Sequence, residues 1–85
     1  MRKLYPAQFK ELFSNDNYDG IEFSNGFFVS FRDVPEALTQ GSDFAEALDM
    51  AEDALKTAME FYSEDGKPYP VPSEPQHGDV MIELK

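Results

Sequence analysis

Three groups of side chains have the types and spacings that chemistry would need. Asn15, Asn17, Asp19 and Gly20 fall at the first, third, fifth and sixth places of a calcium-binding loop. The twelfth place, which requires a bidentate Glu, is Gly26, and the first is Asn rather than Asp, so the stretch reads as a polar loop and no calcium is expected. Glu46, Asp49, Asp53, Glu60 and Glu64 form an acidic stripe at helical spacing, broken by Lys56. Carboxylates on a convex face lack a pocket in which to act. The stripe is therefore either a solvated face, supported by pairs such as Glu52 with Lys56, or a docking surface for a basic partner. His77 is the sole histidine and lies between Pro and Gly residues, with no nucleophile or orienting acid indicated around it. The five glycines are too scattered for a phosphate loop, and the absence of cysteine excludes a thiolate nucleophile, a disulfide framework and a Cys-based zinc site. No metal, no cofactor and no enzymatic activity are expected.

The whole chain has 85 residues, with 17 acidic against 7 basic side chains and a net charge of −10. Such a charge repels phosphate, which argues against direct nucleic-acid binding and against anionic membrane surfaces. No apolar run approaches the roughly 20 residues of a membrane span, and the N-terminus has no apolar signal core. The expected setting is the cytoplasm, and the expected partners are proteins with a basic surface. An apolar content of 41%, with eight Phe and four Tyr, supports one folded domain over residues 1–85.

The elements that must position these groups follow from periodicity. Leu4 to Phe13 precede the polar cluster 14–20, then come Ile21 to Phe23, a turn at Ser24-Asn25-Gly26, and the apolar run Phe27 to Phe31. Asn-Gly between apolar runs predicts a hairpin. Phe27, Val29 and Phe31 share one face of the second strand, opposite Phe28, Ser30 and Arg32. Pro35 interrupts it, and residues 37–41 are short enough for an edge strand or a turn. Over 43–64, Phe44, Leu48, Ala51, Leu55, Ala58 and Tyr62 recur at steps of three and four, predicting an amphipathic helix capped at Asp43 or Ser42 and stopped at Gly66. A proline-rich crossing, 68–75, leads to a last strand at 80–84. The predicted class is α+β: an antiparallel sheet of three to four strands, in the order β-β-β-α-β, with the helix flat on the aromatic face.

One stretch resembles a known family. Gly26-Phe27-Phe28-Val29-Ser30-Phe31-Arg32-Asp33-Val34-Pro35-Glu36-Ala37-Leu38-Thr39-Gln40-Gly41 is similar to the signature of HicB antitoxins, in which an aromatic strand runs into Asp-x-Pro-Glu, a small apolar stretch and Gly. Ala45-Glu46-Ala47 and the spacing of Ala51, Ala54 and Leu55 match that family's helix. Glu60-Phe61-Tyr62, the turn Asp65-Gly66-Lys67-Pro68 and Pro70-Val71-Pro72-Ser73 match its crossing segment, and Tyr5-Pro6-Ala7 its first strand. The likeness covers roughly 1–8 and 24–84.

The resemblance implies a partial RNase H-like fold and an antitoxin that masks a HicA-like basic toxin, itself an mRNA-cleaving protein. Contact candidates are Asp33, Glu36, Gln40, Asp49, Asp53 and Glu60. RNase H chemistry needs carboxylates around metals at the sheet, whereas the strand 27–31 carries Phe, Val and Ser and Asp33 lies beyond its end, so the fold reads as scaffold. Two departures stand out. Residues 9–23 look like an insertion, and no helix-turn-helix or ribbon-helix-helix domain corresponds to anything up to Lys85, so DNA binding by this chain is not expected. Homo-oligomerisation is expected from sheet edges and aromatic supply. The alternative function is an orphan HicB-like interaction or assembly module without a toxin.

Overall fold

The computed structural model describes residues 3–13 and 24–84. Among these residues, four strands and one helix follow in the order β1 (Lys3–Phe13), β2 (Ser24–Phe31), β3 (Thr39–Gly41), α1 (Phe44–Glu64) and β4 (Val80–Leu84). The sheet is antiparallel with the spatial order β3-β2-β1-β4, which is the α+β arrangement expected. The pairing is staggered along β1. Lys3 to Ala7 pair with β4, whereas Ala7 onward pairs with β2. Pro6, which has no N–H to donate, sits just before pairing with β2 begins and so removes no bond of that ladder.

The expected hairpin turn at Ser24-Asn25-Gly26 is not there. These residues lie inside β2, and the register jumps between Glu11 opposite Phe27 and Phe13 opposite Ser24, so β2 carries one extra residue. Gly26, at φ 97°, supplies the left-handed backbone of this bulge. A left-handed Gly serves a tight turn and a bulge equally well, and the pairing beyond it decides which forms. Residues 9–13, read as the start of an insertion, continue β1. The polar loop 14–20, its partial calcium pattern and Ile21 to Phe23 lie outside the described residues.

Alternation along β2 puts Val29 and Phe31 into the core with Tyr5, Ala7 and Ile82, under Ala47, Ala51, Leu55, Ala58 and Met59 of α1. The buried stripe runs through the alanines, which let α1 lie close to the sheet. Phe44, the first residue of the expected stripe, is instead partly exposed. Its ring packs 5.2 Å from that of Phe9 and 5.7 Å from that of Phe27.

Both helix ends are closed by side chain and backbone. Asp43 accepts from the Glu46 N–H at 2.8 Å, while the Glu46 carboxylate accepts from the Ser42 N–H and hydroxyl at 3.1 and 3.2 Å. Asp43 is thus the cap, and Ser42 supplies the reciprocal bonds. At the other end Lys67 N–H reaches the Tyr62 carbonyl at 2.9 Å and Gly66 N–H the Ser63 carbonyl at 3.1 Å, with Gly66 at φ 67°. This is the paired closure that a left-handed Gly permits.

From there residues 67–79 cross the end of the sheet as a strap. Tyr5 donates its hydroxyl to the Pro70 carbonyl at 2.7 Å, and Ser73 donates both N–H and hydroxyl to Asp33 at 2.9 Å. Arg32 donates to the Ser73 hydroxyl at 2.9 Å and to Asp79 at 2.5 Å. Asp79, its side chain only 5% exposed, also accepts from the Gln76 N–H at 2.7 Å and from Gln8 at 3.2 Å. The Arg32 guanidinium, followed by the Gln76 N–H, holds its carboxyl well below the usual carboxylate range. A carboxylate depressed in the fold contributes stability above its unfolded pKa of about 3.9 and loses it as pH falls further toward the folded value. The melting temperature of the unaltered chain should therefore fall on acidification below about pH 4 more steeply than that of Asp79→Asn, which should start lower at neutral pH. Parallel slopes for the two in a pH series of thermal melts would show that this pair does not clasp the strap.

Candidate functional site

Helical geometry divides α1 into three lines. The core line faces the sheet. Asp49, Asp53 and Glu60, separated by four and seven residues, lie on a second line pointing away from it, and all three are exposed. Glu46 and Glu64 extend this line, so the stripe read from spacing is real and faces solvent. Between the two, on the side of α1 nearest β3, runs a third line that spacing alone did not single out. Met50 and Phe61 are eleven residues apart, about three turns, and stand above Ala54 and Thr57.

This third line forms one wall of a groove of about 340 Å³ whose other wall is Glu36, Leu38 and Thr39. A second hollow of about 260 Å³ shares Glu36, Ala58 and Phe61 and continues to Tyr62, Asp65 and Lys67. Leu38 is 56%, Met50 40% and Phe61 62% exposed, so three large apolar side chains surround one concavity without being covered. Glu36 and Asp53 line the groove as well; among the described residues no basic side chain does, and Lys67 lines the adjoining hollow.

The six contact candidates are not one cluster. Asp49, Asp53 and Glu60 stand together on the outer line of α1. Glu36 lines the groove together with Asp53 and accepts from the Tyr62 hydroxyl at 2.8 Å. Asp33 is half-buried and committed to Ser73, so it secures the strap. Gln40 is exposed on β3 opposite Phe28, on the sheet face turned away from α1. His77 is exposed in the turn before β4. Among the described residues no three His, Cys, Asp or Glu side chains group as a metal-ligand set, and no helix is long and apolar enough to cross a membrane.

The surface thus sets a row of carboxylates beside a partly apolar groove, and sequence comparison says to which proteins the chain is similar. A family model described as "HicB_like antitoxin of bacterial toxin-antitoxin system" matches residues 5–85. The chain belongs to the HicB-like antitoxin family. Relatives of this HicB-like chain include "Antitoxin HicB" of Escherichia coli (strain K12), 52% identical over 59 residues, which are 69% of this chain and 43% of the relative. "Antitoxin HicB 1" of Photorhabdus laumondii subsp. laumondii is 64% identical over 47 residues, 55% of this chain and 30% of the relative. "Antitoxin HicB 2" of the same organism is 49% identical over 59 residues, 69% of this chain and 41% of the relative. The HicB-like chain therefore aligns with less than half the length of each.

Proposed function

We propose that this chain is the toxin-binding part of an antitoxin, neutralising a small basic HicA-like mRNA-cleaving toxin by lying over its RNA-binding and active surface. The observation that carries this reading is the outward line Asp49, Asp53 and Glu60 on a helix fixed at both ends, in a member of the HicB-like family. Carboxylates held along one side of a rigid helix, interrupted by Lys56, offer a basic RNA-binding surface a row of negative charge in place of phosphates. A net charge of −10 speeds the encounter. The chain works by occupying a surface, with no chemistry of its own, in the cytoplasm, and without binding nucleic acid directly. The remaining candidates take part unequally. Glu36 borders the contact surface, whereas Asp33 supports it through Ser73.

The test is co-purification with the protein encoded by the adjacent reading frame, followed by RNA cleavage with and without this chain. A stoichiometric complex that stops cleavage is expected. A complex that still cleaves RNA, or no complex, would favour the reading of the chain as a HicB-like interaction module without a toxin.

A further inference from the structure

We infer that the groove between α1 and residues 36–39 is an anchor site for a bulky apolar side chain of a basic partner, one carried between Lys or Arg residues; this rests on the reading of the chain as toxin-binding. Leu38, Met50 and Phe61 come from two separate segments and converge on one concavity, whose floor of Ala54, Thr57 and Ala58 leaves the space open. Three large apolar side chains left uncovered around one concavity make a patch of the kind that marks an interaction site. Anchors of this kind, apolar at the centre with a charged rim, concentrate the binding energy of an interface.

Charge decides between occupants. Glu36 and Asp53 line the groove, while Asp65 and Lys67 together line the hollow that continues from it, so the rim is acidic on balance and a second copy would bring the same acids against it. A segment with an apolar centre and basic flanks satisfies both the concavity and its rim. The acidic line of α1 then governs how fast the partner arrives, and the groove governs how long it stays.

The experiment uses this chain and the product of the adjacent reading frame, with dissociation constants measured at about 0.15 M and about 0.5 M salt. Phe61→Ser and Leu38→Ser lie on different elements, and both side chains are exposed, so circular dichroism should match that of the unaltered chain. Each substitution is expected to weaken binding about thirtyfold or more at both salt concentrations, through faster dissociation. Unchanged affinity in both variants, with the unaltered chain binding normally, would overturn the groove and leave the functional reading intact. No binding by the unaltered chain would overturn the functional reading and the groove with it. If Phe61→Ser instead dissociates a self-associated form in sedimentation and leaves partner binding untouched, the occupant is a second copy and the inference is wrong.

Discussion

Gly41→Val is expected to leave the chain largely unfolded. Gly41 ends β3 directly beneath the first turn of α1. A Cβ there would come 2.5 Å from the Ala47 nitrogen and 2.7 Å from its Cα. Those are helix backbone atoms, so no rotamer change relieves the contact. α1 would have to lift, and Ala47 and Ala51, both fully buried, would lose their seat on the sheet. Overpacking a close contact costs about 1–3 kcal/mol even where neighbours can move, and a chain this small holds roughly 5–15 kcal/mol in all. The smaller change Gly41→Ala should already lower the melting temperature by ten degrees or more, at about 4–8 °C per kcal/mol for domains of this size. Gly66→Ala is the control. Nothing lies within 4 Å of a Cβ there, so only the left-handed φ of 67° resists it, at about 1–2 kcal/mol. Thermal melts in which Gly41→Ala is no worse than Gly66→Ala would refute the close approach of β3 to α1.

The second large effect is on association. Replacing Asp49, Asp53 and Glu60 together with Lys should slow binding of the basic partner by about ten- to a hundredfold at low salt. The difference should shrink as salt screens the charges. All three side chains are exposed, and Lys is as good a helix former as Glu, so the fold should persist. Glu74→Lys, on the strap, reverses an exposed charge away from α1 and should change the association rate far less. Stopped-flow association rates for both variants across a salt series decide the matter. Each reversal changes the net charge by two, so a slowing by Glu74→Lys about one third as large, on a logarithmic scale, as that of the triple variant would mean that net charge alone acts, and that the row of carboxylates on α1 has no positional role.

How far these features could be read from sequence depended on whether a local pattern or a distant partner determines them. α1 was legible because twenty-one residues repeat their apolar spacing and both ends carry side chains with a stopping or capping chemistry. β4 was legible as a short apolar run after a proline segment. Asn25-Gly26 misled because its backbone preference is local, whereas the bulge it forms depends on Phe13 pairing with Ser24. The acidic line was visible in the spacing, but spacing does not show that Asp33 is already engaged by a residue forty positions away. The groove was missed because its walls come from α1 and from residues 36–39, which approach only in the folded chain. A faint signal existed: Met50 and Phe61 share a line beside the core stripe, with small residues between them.

The stagger of β1 also bears on how the chain is made. Among the described residues, Lys3 to Pro6 find their strand partners only in residues 81–84, and the strap that brings those residues back is fastened by contacts spanning forty to seventy-one positions. During synthesis, β2, β3 and α1 emerge while that end of β1 still has an open edge. Closure waits for the final strand, and contacts so distant in sequence are slow to form. A newborn chain therefore passes through an interval in which an almost finished sheet still offers a free strand edge, accessible to proteases and chaperones until β4 slides into place.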